Sequence, residues 1–443
     1  MIKVSITTLG CRVNSYESDA MAGLLRAAGF TIVPDNEPAD ISIVNTCTVT
    51  NIADRKSRQM ISRCRKLNPD TKIIVTGCWS QREPEAASRL EGVAAVIGST
   101  EKNRIAEICA GIAASDEQIN LVRDVMHERS FEEFSASAEG RTRAYLKIQD
   151  GCDRFCTYCA IPFARGAVRS RSLESVRREL EKLDKAGFKE VVFTGIHMTD
   201  YGKDLGNVNL ADAVEQIDGL DNIMRLRFGS LEPHGLTDEM IARITSCDRV
   251  CPQFHLSLQS GSTSVLKRMR RGYTADEYAL IVDKIRASYG DRAPYVAITT
   301  DIIAGFAGET EDEHRETIEF MRRIGFARTH VFPYSRRSGT KADLMPGQLT
   351  NAEKTQRAQE LIGIGKELER SFLERSVGKT VTVLTESENS NGLVSGFTDN
   401  YIRVFIPQAP LNSLVDADIK TIMEEKNGEL SLLSDNCRRD TFD

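Results

Sequence analysis

The first part of the chain alternates short apolar segments with longer segments in which apolar residues recur at helical spacing. The apolar segments predict strands and the periodic segments predict helices. Such alternation is typical of a parallel sheet with helices on its faces. The predicted strands are 2–8, 41–45, 72–76 and 93–97, and the predicted helices are 15–28, 53–67 and 104–110. Segment 114–143 is polar without a clear period, which indicates a linker.

The same alternation continues through the middle of the chain. Six strand–helix units are present, which predicts a partial β/α barrel. In such barrels the active site lies at the C-terminal ends of the strands. The predicted strands are 144–148, 190–194, 225–228, 254–257, 297–303 and 329–332, with helices at 173–186, 238–246, 274–288 and 311–324.

The pattern changes after a charged helix at 352–374. Short alternating segments at 380–385, 392–396 and 401–406 are separated by Gly, Asn and Asp, which predicts a small all-β module. The fold class is therefore α/β, and 443 residues at about 150 per domain allow three domains. The expected domains are an N-terminal parallel α/β domain at 1–114, a central partial (β/α)6 barrel at 138–371 and a small all-β domain at 373–438.

Composition and charge narrow the function classes. Hydrophobic residues make up 41% and charged residues 28%, which is an ordinary globular balance. The net charge of −6 excludes a histone-like coat for nucleic acid. No apolar run is long enough for a transmembrane helix, and the N-terminus lacks a signal peptide, so we expect a cytoplasmic protein. In that compartment the 11 cysteines are expected to include metal ligands or catalytic thiols rather than disulfides.

Three of these cysteines follow the first strand of the predicted barrel. Cys152, Cys156 and Cys159 have the spacing C-x-x-x-C-x-x-C. Thiolates at these offsets on a tight loop can converge on one 4Fe–4S cluster and leave one iron open for a small molecule. The alternative is zinc, although zinc sites usually pair C-x-x-C with a second pair or with His, and no such partner is nearby.

A second set consists of Cys11, Cys47 and Cys78, each of which follows a predicted strand. Because strand ends in a parallel sheet lie side by side on one edge, these distant cysteines would meet in space. We predict a second cluster with an open iron, and the alternative is three small buried residues. The remaining cysteines show no ligand spacing and are predicted to serve packing: Cys64, Cys109, Cys247, Cys251 and Cys437.

The motifs around both sets resemble those of the radical S-adenosylmethionine (SAM) methylthiotransferases. The resemblance covers nearly the whole chain and is greatest to the MtaB type, which modifies N6-threonylcarbamoyladenosine in tRNA. The three predicted domains resemble the methylthiotransferase domain, the radical SAM core and the TRAM domain of that family. The matching segments are 8–17, 45–51, 53–59, 150–166, 169–171, 255–262 and 330–335.

The resemblance implies an enzyme with two 4Fe–4S clusters and SAM that inserts sulfur and methyl at C2 of the modified adenosine next to the anticodon. The Cys152, Cys156 and Cys159 cluster would make the adenosyl radical, and the other cluster would deliver sulfur. The implied partners are the anticodon stem-loop of a tRNA, with lysine tRNA suggested by resemblance, a reductant protein and a sulfur source, without a membrane. The alternatives are the same chemistry on isopentenyladenosine or on a ribosomal-protein aspartate, and a non-catalytic zinc and RNA-binding protein.

Candidate SAM contacts are Tyr158, Gly195, Glu232 and Gln259. Tyr158 lies between two cluster cysteines, where an aromatic residue often flanks the adenine in related proteins. Gly195 stands where many radical SAM proteins have a Gly-Gly-Glu strand end, but this chain lacks that glutamate. Glu232 is a candidate for the ribose or amino group of SAM, or for a salt bridge within the barrel.

Three basic clusters contrast with the acidic chain as a whole. Arg165, Arg169 and Arg171 are predicted to bind RNA because they lie nearest the barrel mouth. The C-terminal module from 376 onward carries six basic and eleven acidic residues, so RNA binding there would use a local surface such as Lys379 and Arg403. The other two clusters are Arg55, Lys56, Arg58, Arg63, Arg65 and Lys66, and Lys267, Arg268, Arg270 and Arg271.

Overall fold

The computed structural model describes residues 1–135, 142–389 and 392–439. The domain start expected at residue 138 and the side chain of Cys437 lie outside this described part. Within it, the chain forms a parallel α/β region, a second parallel α/β region and a small closed barrel, so the α/β fold class is confirmed.

The N-terminal region is a six-stranded parallel sheet in the order β2-β1-β3-β4-β5-β6, flanked by helices. All six residues of β3 are buried, as expected for a central strand covered on both faces. The predicted parallel sheet is therefore confirmed, and β2 was missed because its three residues are too short for a pattern. The elements are β1 (Lys3–Thr8), α1 (Arg12–Ala27), β2 (Thr31–Val33), β3 (Ile41–Thr46), α2 (Asn51–Leu67), β4 (Lys72–Gly77), α3 (Cys78–Arg82), α4 (Pro84–Ser88), β5 (Val93–Val96), α5 (Ile105–Ala114) and β6 (Ile119–Asn120).

The segment predicted as a linker is more ordered than its polar composition indicated. Ile119–Asn120 adds an edge strand to the sheet. Phe134 is 8% exposed and its ring stacks on Tyr16 with centroids 6.0 Å apart. The Tyr16 hydroxyl donates to the Phe134 carbonyl at 2.5 Å. The two apolar side chains Val125 and Phe134 bury against the flanking regions and hold the segment in place.

The central region consists of parallel strands in two sheets, ordered β11-β10-β7 and β12-β13-β14-β15. Gly229 separates β11 from β12, and a bridge between Leu226 and Val250 links the sheets. One hydrophobic core from Ala144 to Ile364 fills the space between the strands and the surrounding helices. The elements are β7 (Arg143–Lys147), β8 (Gln149–Asp150), α6 (Ile161–Arg165), β9 (Arg169–Ser170), α7 (Leu173–Lys185), β10 (Glu190–Thr194), α8 (Leu210–Glu215), β11 (Arg225–Phe228), β12 (Ser230–Leu231), α9 (Asp238–Ser246), β13 (Gln253–Leu256), α10 (Thr263–Met269), α11 (Ala275–Ser288), β14 (Ala297–Ala304), α12 (Glu311–Ile324), β15 (Arg328–Pro333) and α13 (Asn351–Glu374).

The C-terminal region is a closed five-stranded barrel in the order β16-β17-β18-β20-β19. The predicted all-β module is confirmed, and its first three strands follow the predicted segments. The last two strands were missed, since bulges interrupt the alternation of the long antiparallel pair that they form. The strands are β16 (Thr380–Glu388), β17 (Leu393–Thr398), β18 (Arg403–Pro407), β19 (Leu414–Glu424) and β20 (Leu430–Arg439). In the part of the chain that the structure describes, no helix has the length and hydropathy to span a bilayer.

A buried ionic group joins the C-terminal barrel to the N-terminal ends of the central strands. Glu190 is fully buried and pairs with Arg143 at 2.8 Å and Arg227 at 3.1 Å. Arg227 also donates to the Asp399 carbonyl at 3.0 Å, and its guanidinium lies 4.6 Å from the ring centroid of Tyr401. The interface therefore depends on the planar, stacking guanidinium of Arg227 rather than on charge alone.

This interface gives a stability prediction. Arg227→Lys keeps the charge but loses the forked hydrogen bonds and the aromatic stacking, at a cost of about 2 kcal/mol. We expect a thermal unfolding midpoint lower by on the order of a few degrees, measured by calorimetry. The matched control is Arg292→Lys, because Arg292 pairs with Asp399 at the same interface at 2.9 Å but is 56% exposed. An exposed pair is worth less than about 1 kcal/mol, so equal shifts in the two variants would contradict the prediction.

Candidate active site

Three cysteines lie together at the C-terminal edge of the N-terminal sheet. β1, β3 and β4 are neighbours in that sheet. Cys11 precedes α1, Cys47 follows β3 and Cys78 begins α3. Burial raises the pKa of the Cys47 thiol to about 12, and the nearby Cys78 and Cys11 act in the same direction. The three thiols, distant in sequence, are therefore neighbours in space, as predicted.

Two glycines bring the backbone close to this set. Gly10 has φ of 101°, and a Cβ added there would lie 2.9 Å from Cys47 Sγ. Gly77 has φ of 99°, and a Cβ there would lie 2.5 Å from the Thr46 carbonyl oxygen. Only glycine adopts such a conformation without strain and leaves this space free. Both glycines are therefore needed for the spacing of the thiols.

The second set lies on the loop between β8 and α6. The Cys152 amide donates to the Gly166 carbonyl at 2.9 Å, and the Cys159 amide donates to the Cys156 carbonyl at 3.0 Å. The loop is therefore a compact turn that brings the thiols together. Arg271 approaches from the segment after α10, and its Nη1 donates to Cys156 Sγ at 3.4 Å.

The two sets of thiols lie close to each other. Burial and the neighbouring Cys156 raise the pKa of Cys159 to about 12, and the charge of Cys78 from the other set contributes in the same direction. Burial also raises the pKa of Cys152 to about 12. Thiols with such pKa values are neutral at pH 7, so binding of metal as thiolates would release protons.

Each set offers three thiols as metal donors. In the described residues, no group of three or more His, Cys, Asp or Glu side chains is placed to hold one metal ion. A cubane separates its thiolate ligands more widely than a single ion does. Two sets of three neighbouring thiols, each with a buried arginine at one sulfur, therefore match the donor set of a 4Fe–4S cluster with one open iron.

A buried ionic network lies next to the N-terminal set. Glu17 on α1 is fully buried, and its carboxylate accepts from Lys102 Nζ at 2.6 Å and Lys147 Nζ at 2.8 Å. Arg165 Nη1 donates to Glu17 Oε1 at 2.5 Å, and Arg165 Nε donates to Cys78 Sγ at 3.2 Å. One arginine of the central region thus binds both a carboxylate and a thiol of the N-terminal region.

The charges in this network are strongly coupled. Burial alone would raise the pKa of Glu17, but Arg165, Lys102 and Lys147 outweigh it and hold the pKa well below its usual range. Asp150 joins through Lys147 Nζ at 2.6 Å, and Lys147, Arg165 and Arg169 lower its pKa despite burial. The two carboxylates therefore stay ionised at neutral pH, surrounded by cations beside the thiols.

The prediction that Arg165, Arg169 and Arg171 bind RNA is wrong. All three are at most 2% exposed. Arg165 is held by Glu17, Arg169 lies 3.7 Å from Asp150, and Arg171 donates to the Tyr16 hydroxyl at 3.0 Å. A guanidinium engaged with buried partners cannot contact phosphate. Arg165 and Arg171 instead join the N-terminal and central regions, whereas Arg169 pairs within the central region.

Two of the candidate SAM contacts belong to one group of side chains. Glu232 Oε2 and Arg271 Nη2 form a buried ion pair at 2.5 Å, so the alternative of a salt bridge within the barrel is what the structure contains. The Tyr158 hydroxyl lies 3.4 Å from Arg271 Nη1, and its ring packs edge-on against Phe306 with centroids 6.4 Å apart. Tyr158, Glu232 and Arg271 therefore form a connected group next to Cys156.

The other two candidates occupy strand ends. Gly195 follows β10, where Gln149 Oε1 accepts from the next two amides, Ile196 and His197. Gln259 has φ of 79°, and its backbone pairs with β14. Positive φ in a residue other than glycine is costly and concentrates at functional sites. Gly195 and Gln259 are thus placed at the C-terminal ends of the strands, as the barrel prediction requires.

Sequence reasoning missed polar side chains that follow β10 in place of the absent glutamate. Arg154 Nη2 lies 3.2 Å from Asp200 Oδ1, and His197 Nδ1 lies 3.4 Å from Asp200 Oδ2. Burial lowers the pKa of His197 to about 4, so the imidazole is neutral. Arg154, His197 and Asp200 therefore form a polar group just after β10.

A cavity of about 490 Å³ opens inside the central region next to Cys11. Among the described lining residues, Val13 is the only aliphatic side chain. His255 Nε2 lies 3.3 Å from Asp301 Oδ2 within it, and Tyr401 of the C-terminal barrel contributes to the wall. All three regions of the chain therefore line this cavity. Its residues are Gly10, Cys11, Arg12, Val13, Thr194, Gly195, Gly229, Ser230, Gln253, His255, Thr299, Asp301, Arg328, His330 and Tyr401.

The cysteines outside the two sets serve packing where the structure describes them. Cys64, Cys109 and Cys251 are at most 5% exposed, and Cys247 packs against the central core.

The sequence analysis overlooked Glu17, although its position indicates burial. Glu17 lies on the same face of α1 as Val13 and Met21, which are buried. A carboxylate on the apolar stripe of a helix indicates a buried ion pair.

Comparisons with known proteins agree with these observations. Residues 3–98 match the model of uncharacterized protein family UPF0004, and residues 146–321 match the radical SAM superfamily. A threonylcarbamoyladenosine tRNA methylthiotransferase MtaB from Bacillus subtilis is 39% identical over 91% of this chain and 90% of its own length. The protein of the same description from Thermotoga maritima is 36% identical over 96% of each chain.

More distant matches share the fold. A tRNA-2-methylthio-N(6)-dimethylallyladenosine synthase from Pelotomaculum thermopropionicum is 34% identical over 90% of this chain and 89% of its own length. The solved structure of the radical SAM methyltransferase TsrM from Kitasatospora setae covers 77% of each chain with a TM-score of 0.57 at 15% identity. This likeness establishes a radical SAM fold for the chain.

The approach of Gly10 to Cys47 gives a prediction about metal content. Gly10→Ala places a methyl group against Cys47 Sγ and should cost the chain one cluster, lowering iron from about eight to about four per chain. The matched control is Gly29→Ala, because Gly29 has φ of 86° but nothing within 4 Å of an added Cβ. Both variants carry the same kind of backbone strain, so equal iron and sulfide contents would contradict the prediction.

Proposed function

The chain belongs to the radical SAM methylthiotransferases that modify tRNA, and from this premise we propose how its residues divide the reaction. It is an enzyme of the threonylcarbamoyladenosine type, which adds sulfur and a methyl group at C2 of N6-threonylcarbamoyladenosine. It uses 4Fe–4S clusters and SAM. The observation that carries the assignment of residues is that two sets of three thiols lie close to each other, with Cys11 of one set in the wall of the cavity.

Each set of cysteines holds one cluster in this proposal. Cys152, Cys156 and Cys159 hold the cluster that binds SAM, and Cys11, Cys47 and Cys78 hold the second. When bound, the clusters and SAM supply the radical, the sulfur and the methyl group. The protein supplies hydrogen bonds to the sulfurs, and such bonds tune the potential of a cluster.

The SAM site lies at the C-terminal ends of the central strands. Asp200 and His197, which lie 3.4 Å apart just after β10, take the place of the missing glutamate toward the amino group. Tyr158 and Gly195 border the same site, with Gln259 at a neighbouring strand end. Glu232 acts through Arg271, which it orients toward Cys156.

The three regions correspond to the expected domains. We assign 1–114 to the methylthiotransferase domain, 138–371 to a partial (β/α)6 radical SAM core and 373–438 to a TRAM domain. The closed five-stranded barrel and the seven parallel strands of the central region, of which β11 and β12 are separated only by Gly229, support this division.

The hydrogen-bonding side chains in the cavity wall favour threonylcarbamoyladenosine over isopentenyladenosine. An isopentenyl group is a branched hydrocarbon that is stabilised by apolar walls. Val13 is the only aliphatic side chain among the described lining residues, whereas His255, Asp301 and Thr299 are polar. A threonylcarbamoyl group, with its amide, hydroxyl and carboxylate, matches such walls because they satisfy its hydrogen bonds.

The tRNA binds along α2, which begins four residues after Cys47. Arg55, Arg58, Arg63 and Lys66 line an open groove of about 460 Å³ on this helix. The C-terminal barrel contributes less, because Arg403 is held by Glu425 at 3.2 Å and the segment from 376 is acidic. Phosphates of the anticodon stem-loop therefore meet the α2 face.

Mass spectrometry of tRNA nucleosides tests the function. Cells that lack the gene should lose the 2-methylthio form and accumulate threonylcarbamoyladenosine, and the wild-type gene should restore it. Cys78→Ala should fail to restore it, whereas Cys64→Ala, which changes a buried packing cysteine, should succeed. A change in 2-methylthio-isopentenyladenosine instead would identify isopentenyladenosine as the substrate. Unchanged tRNA nucleosides would point to a ribosomal-protein aspartate. Zinc in place of iron in the purified protein would favour a non-catalytic protein.

A salt titration tests the RNA surface. Arg58→Gln with Arg63→Gln should weaken binding of the anticodon stem-loop and lower the slope of log K against log salt by about two. Arg315→Gln with Arg323→Gln is the control, since this pair removes equal charge from the exposed face of α12. The same change of slope in both double variants would place the RNA elsewhere.

A further inference from the structure

The cavity beside Cys11 has an unbalanced positive charge. Its described lining contains two arginines, Arg12 and Arg328, and a single carboxylate, Asp301. Asp301 is occupied by His255, whose Nε2 lies 3.3 Å from Asp301 Oδ2. A cavity with a surplus arginine is suited to an anionic ligand, because a negative group would pair with a guanidinium that has no internal partner.

The two arginines differ in what they contact. Arg328 Nη2 pairs with Glu429 Oε1 of the C-terminal barrel at 2.5 Å, so its charge is already balanced. Arg12 is the first residue of α1, and no acidic side chain lies within salt-bridge distance of it among the described residues. The first turn of α1 also contains no acidic residue. Arg12 is therefore the cation that remains available to a ligand.

Arg12 is also placed where the reaction needs a fixed substrate. It follows Cys11 directly, and both residues line the cavity. Arg12 is also close enough to β15 to affect His330 electrostatically. Burial lowers the pKa of His330, and the positive charge of Arg12 lowers it further. A ligand held by Arg12 is thus fixed relative to the cysteine set of the N-terminal region.

We propose that Arg12 binds the carboxylate of the threonylcarbamoyl group and is a specificity-determining residue of the enzyme. This inference rests on the proposed function. A guanidinium presents two parallel N–H donors to a carboxylate, and such a bidentate pair fixes direction as well as position. The pair orients the purine so that C2, rather than another edge, faces the cysteine sets. An isopentenyl group offers no charged partner to the partly exposed guanidinium of Arg12.

The test compares two substrates with three enzymes. The substrates are an anticodon stem-loop with threonylcarbamoyladenosine and the same RNA with its threonine carboxylate converted to the carboxamide. The enzymes are the reconstituted wild type, Arg12→Gln and Arg12→Lys. For the wild type we expect kcat/KM to fall about 10- to 100-fold on the carboxamide. Arg12→Gln should lose a similar factor on the carboxylate RNA and treat both RNAs alike, and Arg12→Lys should recover part of the preference.

Two further measurements separate recognition from damage to the adjacent cluster. Fluorescence anisotropy measures binding of the two RNAs without turnover. In Arg12→Gln it should show that the preference for the carboxylate RNA over the carboxamide RNA is lost. Iron and sulfide contents, and cleavage of SAM in the absence of RNA, should match the wild type in Arg12→Gln. If Arg12→Gln lost its cluster, the Arg12→Lys enzyme and the binding preference would still decide the question.

The control variant is Arg328→Gln, which removes the other cavity arginine. A preference that survives in Arg12→Gln, or that disappears only in Arg328→Gln, would overturn the inference. Failure of the proposed function would look different, because the wild type would then neither bind nor modify the threonylcarbamoyladenosine RNA.

Discussion

The buried carboxylate of Glu17 fixes the position of the N-terminal region relative to the central region, and so the position of one set of cysteines relative to the other. It is fully buried and is bonded to Lys102, Lys147 and Arg165, of which two come from the central region. Burying one carboxylate costs several kcal/mol unless good geometry and additional hydrogen bonds compensate. Three cations at 2.5–2.8 Å provide that compensation only when the two regions are docked. The ionic network therefore specifies one mutual position, and with it the position of the two sets of thiols.

The same arrangement occurs twice around the cysteines. Arg165 donates to Cys78 Sγ while Glu17 accepts from its Nη1 and Nη2. Arg271 donates to Cys156 Sγ through Nη1 while Glu232 accepts from its Nη2. In each case a carboxylate orients a buried guanidinium, and the guanidinium places positive charge at one sulfur. Clusters bound by thiolates carry negative charge, and hydrogen bonds to the sulfurs tune their potential. The buried arginines thus balance charge at both sets, which surface arginines in high dielectric would not do.

The sequence predicted the parts of the site that follow from the periodicity of strands and helices. It did not predict whether a side chain is buried when that depends on an interaction partner far away in the sequence. Cys11, Cys47 and Cys78 were expected to meet, because parallel strands end on one edge and each cysteine follows such a strand. Arg165 was expected on the surface, since a basic cluster in sequence does not reveal that its partner Glu17 lies 148 residues away. The buried segment around Phe134 escaped notice for the same reason, because its stacking partner Tyr16 is distant along the chain.

The position of the C-terminal barrel determines the side from which the nucleotide enters. Arg225 and Arg227 lie on β11, whose N-terminal end the barrel covers, and donate to carbonyls of β16 and β17 and the turn after them. Tyr401 closes the cavity from the same direction. In the proposed function, the modified base enters from the opposite end of the cavity, where Cys11 and the end of β10 lie. An anticodon-loop base is already unpaired and can be turned outward at little cost. The C-terminal barrel thus closes one end of the cavity and leaves the end beside Cys11 for the proposed substrate.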